Sequence, residues 1–160
     1  MGSTSDLPVM TKAAEFLNQM EVPFEMLALS AHRTPDEVAD FAAGAQARGV
    51  KIIIAGAGMA AALPGVIAAI TPLPVIGVPL AATLQGADAL LSICQMPPGI
   101  PVATTGINGA MNAAVLAVRM LALADEALAG RYDQWRRQLG QKIVKANDDL
   151  AEIRYDFKTN

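Results

Sequence analysis

His32 and Arg33 stand side by side in the stretch Ser30–Ala42, SAHRTPDEVADFA, and His32 is the only histidine in the chain. Imidazole can both give and take a proton near neutral pH, so any histidine-dependent proton transfer here runs through that ring. The neighbouring guanidinium offers a planar fork suited to phosphate or carboxylate. The ordinary alternative is a histidine that merely packs or caps, beside a solvated arginine. A second group sits at the start, where Ser3, Thr4, Ser5 and Asp6 precede an amphipathic run. Hydroxyls at a helix start, together with its unpaired N–H groups, make a phosphate cradle, although such residues cap helices equally well without a ligand. The third candidate is the turn Gly56-Ala57-Gly58, where small residues permit close backbone approach. It lacks the third glycine and the later acidic residue of a dinucleotide fingerprint, which argues against a Rossmann cofactor.

These residues need elements to hold them. Phe24–Leu29, FEMLAL, reads as a short buried strand, and Pro35 opens a helix to Arg48 that Gly49 ends. Thr34 is the expected N-cap, with Glu37 completing a capping box. His32 and Arg33 then lie on a loop at a strand's carboxyl end, the usual ligand position in open α/β sheets. Upstream, Leu7–Met20 is predicted as an amphipathic helix with Asp6 as N-cap and Pro8 in its first turn. GSTSD reads as a loop that should follow a strand, so the native chain is expected to extend beyond Met1. Lys51–Ala55 and Leu73–Pro79 are predicted buried strands, and Val102–Thr105 the last one. Helices are expected over Met59–Ile70, Ala87–Gln95, Asn108–Ala124 and, longest, Asp125–Ala151. Tyr132, Trp135, Leu139 and Ile143 form a stripe on that last helix, read as a packing surface for another subunit. Alternating strands and helices predict a three-layer α/β/α sandwich around a parallel sheet. A single catalytic domain over residues 1–160 is expected, with 125–160 a helical extension.

Composition narrows the function. Hydrophobic residues make up 53% and charged residues 17%, enough to bury a core and to leave a charge-poor surface suited to other subunits. A net charge of −3 argues against nucleic acid as partner. The lone Cys94, in the apolar context LLSICQM, allows no intrachain disulfide and is expected to be buried, in keeping with a reducing cytoplasm. Ile52–Ala87 carries no charge, but Pro64, Pro72, Pro74 and Pro79 divide it into pieces too short to span a bilayer.

Four segments, GSTSD at Gly2–Asp6, SAHRTP at Ser30–Pro35, IIIAGAG with ALPG within Ile52–Gly65, and LPVIGVP with SICQMPPGIPVAT within Leu73–Thr104, together resemble the PurE family of purine biosynthesis. The likeness runs in matching order up to about Ala124. It is nearer the bacterial mutases than the animal carboxylases, whose histidine loop tends to read SAHK. The resemblance implies a mutase that moves a carboxylate from N5 of N5-carboxyaminoimidazole ribonucleotide to ring carbon C4, with no cofactor and no metal. It implies His32 as general acid/base and Arg33 as the phosphate ligand. Ser3, Ser5 and Asp6 match positions at the phosphate and ribose, and Gly58 with its loop matches backbone that meets the carboxylate and ring. Ser30, Ala60, Ala61 and Leu63 complete the implied substrate-binding set. It also implies a homo-octamer in which Gln95-Met96-Pro97 of one chain reaches a neighbour's His32 region.

Two departures stand out against that likeness. The family's usual GGAAHLPG appears here with Met59 for the second glycine and Ala62 for the histidine, which leaves His32 as sole acid/base. The alternatives are a carboxylase of the same family acting directly on CO₂, and a non-catalytic phosphoribosyl-binding module.

Overall fold

The computed structural model describes every residue, Met1–Asn160. Ser3 opens a short 3₁₀ turn, Thr4–Asp6, and helix α1 follows over Leu7–Gln19 with Pro8 in its first turn. Met10, Ala13, Phe16 and Leu17 recur at helical spacing and are the residues α1 buries. Helix α2 spans Pro35–Gly44 and buries Val38 and Ala42. Strand β1 is Ile53–Gly58, helix α3 Leu63–Ile70, strand β2 Val75–Leu80 and helix α4 Ala87–Cys94. A two-residue strand β3, Ala103–Thr104, leads to α5, Ala110–Leu121, and to the long α6, Glu126–Glu152. Asp125 caps α6, its carboxylate accepting from Leu128 N–H at 2.9 Å.

The three strands lie parallel in the order β1-β2-β3, with Ile53 opposite Val75 and Gly58 opposite Leu80. β2 is central and buried throughout, as expected for a strand covered on both faces. Its alternation sorts the core into two layers. Ile76, Val78 and Leu80 pack with α1, α5 and Leu128, while Val75 joins Ile53, Ala55 and Ala57 of β1 against α2, α3 and α4. This is the expected α/β/α sandwich. β1 and β2 run out into small residues, Gly58 at the end of β1 and Ala81-Ala82 after β2.

Four local expectations are corrected. Phe24–Leu29 is not a strand of the sheet; Phe24, Met26 and Leu27 are about half exposed. A strand needs a neighbour, and the place between this segment and β1 is an open groove rather than backbone. Thr34 does not cap α2, because its hydroxyl is taken up inside the preceding turn: it accepts from Ser30 N–H at 2.9 Å and donates to the Ser30 carbonyl at 3.2 Å. Cys94 is exposed, since α4 turns Ala89 and Ile93 toward the sheet and the next residue lies about 100° round the helix. Finally, the α6 stripe divides. Tyr132 and Trp135 pack on this chain's own core, Trp135 edge-on to Phe16 at 4.8 Å, whereas Leu139 and Ile143 are exposed.

Candidate functional site

Arg33 is held from two directions. Its Nε donates to Ser30 Oγ at 3.2 Å and its Nη2 to the Gly2 carbonyl at 2.9 Å. The loop itself is a tight turn, with Thr34 N–H donating to the Ser30 carbonyl at 2.8 Å and Arg33 N–H reaching the same oxygen at 3.2 Å. These bonds leave both Nη1 hydrogens of the guanidinium without a partner in the chain. Ser30 Oγ only accepts here, so its own proton is free to donate. An anion facing Arg33 would therefore meet a charged fork and a hydroxyl whose positions are already set. His32 stands exposed beside them.

Gly2 brings the second group in. Ser3 and Asp6 form a reciprocal cap: Ser3 Oγ accepts from Ser5 N–H at 3.3 Å and Asp6 Oδ2 accepts from Ser3 N–H at 3.0 Å. Ser5 Oγ donates to Asp6 Oδ1 at 3.3 Å. The three residues thus differ in what they can offer. Ser3 keeps its hydroxyl proton, Ser5 must release Asp6 before it can donate, and Asp6 is an acceptor suited to a sugar hydroxyl and not to a phosphate.

The glycine turn lies at the same end of the sheet. Met10, one turn into α1, lies so close over Gly56 that a Cβ there would meet its Sδ at 2.6 Å, which sets the start of α1 beside the end of β1. Ala31 and Leu29 pack against the cluster that contains Ala57, Ala61 and Leu63, so the His32 loop and the loop after β1 share one support. Gly58 is crowded by the loop after β2, a Cβ there lying 3.1 Å from Ala82 Cβ and 3.4 Å from the Leu80 carbonyl. Ala60 is exposed, but Ala61 and Leu63 are 2% and 4% exposed, so their side chains belong to the core and only their backbone could meet a ligand. Met59, at φ 56°, occupies the left-handed region that favours glycine and is 57% exposed. Ala62 sits at the N-cap of α3.

Sequence reasoning did not anticipate two groups at this edge. The Gly2 carbonyl orients Arg33 through the main chain, for which no side-chain pattern exists. Asn108, also in the left-handed region, accepts from Ala81 N–H at 3.0 Å and donates its own N–H to the Pro79 carbonyl at 2.8 Å, tying the loops after β2 and β3 together. An Asn beside a glycine is a turn signal that could have marked it.

The sequence profile of the family described as AIR carboxylase matches residues 1–142. The N5-carboxyaminoimidazole ribonucleotide mutase of Brucella melitensis is 54% identical over 94% of this chain and 95% of its own length. That of Pyrococcus abyssi is 51% identical over 96% and 88%. The chloroplastic phosphoribosylaminoimidazole carboxylase of Vigna aconitifolia is 52% identical over 95% of this chain, which spans only 28% of that carboxylase. In three dimensions the crystal structure of Treponema denticola PurE superposes with a TM-score of 0.84 at 30% identity, over 96% of both chains. With matched fold, matched length and half the residues identical, the chain belongs to the AIR carboxylase family, whose solved structures include PurE.

Proposed function

We propose that this chain is an N5-carboxyaminoimidazole ribonucleotide mutase, moving the carboxylate from N5 to C4 of the imidazole in purine biosynthesis. The observation that carries the reading is reciprocal coverage: mutases match it end to end at about half identity, while it equals a small fraction of the carboxylases. The site chemistry supports it. Arg33, with both Nη1 hydrogens unpartnered, and the Ser3 and Ser30 hydroxyls suit the ribonucleotide phosphate, and Asp6 suits the ribose. Ala60, Ala61 and Leu63 contribute backbone beside Gly58, where small residues leave room for the ring.

In this reading His32 protonates N5 as the N–CO₂ bond breaks, releasing CO₂ and a neutral amine. C4 then forms the new bond to the CO₂ carbon, and the imidazole, now a base, removes the C4 proton. Protons balance within one residue, and the reaction so written needs no electron carrier. CO₂ must not escape between the two steps, which calls for a site shut off from water. A second chain supplies that closure in this proposal, where the enzyme is a cytoplasmic homo-octamer with Gln95-Met96-Pro97 of one subunit near the next subunit's His32. The exposed apolar residues of α6 support association.

The deciding assay offers the N5-carboxylated ribonucleotide in bicarbonate-free buffer, and separately aminoimidazole ribonucleotide with bicarbonate. Conversion of the first alone is expected. Turnover of the second at comparable rate would make the chain a direct carboxylase, the activity named for its Vigna relative. Binding of both without turnover would leave a phosphoribosyl-binding module.

A further inference from the structure

β1 gives way to a sharp turn. Gly58, its last residue, lies opposite Leu80, and Met59 follows directly. Ala61 N–H donates to the Met59 carbonyl at 2.9 Å and Ala62 N–H to the Ala60 carbonyl at 2.7 Å, two successive i→i+2 turns that lead into α3. Ala61 is buried and ties this turn to the core. At 58 glycine answers a lack of space, since a Cβ there would crowd Ala82 Cβ at 3.1 Å. At 59 the situation is reversed. The backbone, at φ 56°, is one that glycine adopts without strain, yet the residue is methionine.

Two other residues show how this conformation is ordinarily offset. Glu21, at φ 55°, stops α1, with Val22 N–H donating to the Leu17 carbonyl at 3.0 Å in the usual left-handed helix ending. Asn108 is of a type that tolerates the region, and its side chain accepts from Ala81 N–H. Met59 has neither device. It follows a strand, its side chain carries no group to bond the backbone, and it is more than half exposed, so packing returns little. Backbone strain with no local compensation is the kind that chains keep at functional sites.

Building on the mutase reading, we infer that Met59 is the apolar cover of the reacting ring within its own chain. Its side chain holds the released CO₂ against C4 and keeps water away from it. Placement supports this. Ala57 and Ala61, on either side of Met59, share with Leu29 and Ala31 the cluster that carries the His32 loop, so Met59 borders the space between Gly58 and His32. The make-up of the site supports it too. His32, Arg33, Ser30, Ser3 and Asp6 are polar, Ala60 is small, and Ala61 and Leu63 are buried. Met59 alone brings a large, accessible apolar side chain to this group. Free CO₂ is uncharged and donates no hydrogen bond, so polar groups hold it poorly, and a water-excluding wall retains it better. An unbranched, polarisable thioether moulds over a flat ring and a small linear molecule alike. Glycine would relax the backbone and leave the ring uncovered.

The test follows the N5-carboxylated ribonucleotide in bicarbonate-free buffer, with the decarboxylation of an enzyme-free blank subtracted. CO₂ that reaches C4 appears as the 4-carboxylated product. CO₂ that escapes leaves aminoimidazole ribonucleotide, N5 having taken its proton from His32, which takes one back from solvent. The parent is compared with Met59→Gly, Met59→Gln and Met59→Leu. The glycine and glutamine variants are expected to raise the share lost as aminoimidazole ribonucleotide roughly 10-fold or more, and leucine to stay near the parent. Glutamine matches methionine in length, so its leak reads apolarity and not bulk. A urea midpoint for the glycine variant at or above the parent's shows that its leak is not unfolding. Equal partition in all four chains would overturn the inference. So would a fall in kcat with partition unchanged, which would give Met59 a part in loop shape only. A leak with glycine but not with glutamine would also overturn it, since bulk alone would then close the site. A parent that forms no 4-carboxylated product would overturn the mutase reading and the inference with it, whereas every other outcome leaves that reading in place.

Discussion

At the scale of single residues the candidate site separates into groups that are held and one that is not. Arg33 and Ser30 are fixed by mutual hydrogen bonds and by the Gly2 carbonyl, whereas His32 projects from the same turn into solvent. Replacing His32 should therefore leave the fold alone. His32→Asn is expected to keep the Tm of the parent and to lose roughly 10²–10⁴ in turnover, the range for a positioned acid/base. Near-parental turnover would remove this residue from the chemistry. Arg33→Lys keeps the charge but cannot span Ser30 and Gly2 together, so KM for the ribonucleotide should rise at least ~10-fold with little change in kcat. An unchanged KM would place the phosphate elsewhere. Met59 offers a different kind of test. Relief of its left-handed backbone gains about 1–2 kcal/mol, and glycine's extra unfolded-state freedom returns about 0.5–1 of that. Met59→Gly should then stabilise the chain by about 0.5–1 kcal/mol in urea titration. Destabilisation would show that the half-exposed side chain makes contacts worth more than the strain.

At the scale of elements, how legible each one was depends on what defines it. α1, β2 and α6 were readable to within two or three residues, because apolar period and proline position are local signals; Asp6, expected to cap α1, makes no cap hydrogen bond there, its carboxylate accepting instead from Ser3 N–H. FEMLAL looked equally convincing as a strand, yet strand formation is settled by the neighbour and not by the segment. Cys94 was misjudged for a similar reason: its apolar surroundings are sequence neighbours, while burial follows the face of α4 that meets the sheet. In the site, the Ser3–Asp6 hydroxyl cluster and the His-Arg pair could be read, but the carbonyl joining them could not, since a contact across 31 residues through main chain leaves no pattern. Packing of the central strand yields its own prediction. A Cβ on Gly77 would collide with Ile93 Cγ2 of α4 and lie 3.1 Å from Val102 Cγ1, in the segment that leads into β3. Ile93 is fully buried and has nowhere to move. Gly77→Ala should cost about 1–3 kcal/mol by overpacking, read as a lower urea midpoint at unchanged m-value. A midpoint within error of the parent would mean that α4 slides freely over the sheet.

At the scale of the whole molecule, α6 outruns the body it packs on. Its first turns are anchored by Leu128, Tyr132 and Trp135, the last two stacked at 5.8 Å and joined to the core through Phe16. The stripe does not stop there. Leu139, Ile143 and Leu150 continue along the helix, with Ile153, Tyr155 and Phe157 beyond it, and all are exposed at 41% or more. No helix of the chain is long and apolar enough to cross a membrane. Apolar residues sustained at helical spacing past the end of a core are a liability on a lone chain and an asset in a closed assembly, where copies cover one another. The anchoring contacts and the exposed ones are separable by position, which makes the proposal of a homo-oligomer testable without unfolding the subunit. Removal from Asp133 onward would strip Trp135 from Phe16 and damage the core itself. A chain ending at Gly140 keeps Tyr132 and Trp135 and loses Ile143 and everything after it. That shorter chain should retain the far-ultraviolet signature of the sandwich and sediment as a monomer, while the full chain sediments as a larger closed species. Turnover should fall with assembly, because the proposed pocket is shut by a neighbouring subunit. A shortened chain that still assembles would assign the interface to another face, and a fully active monomer would show that each site is complete within one chain.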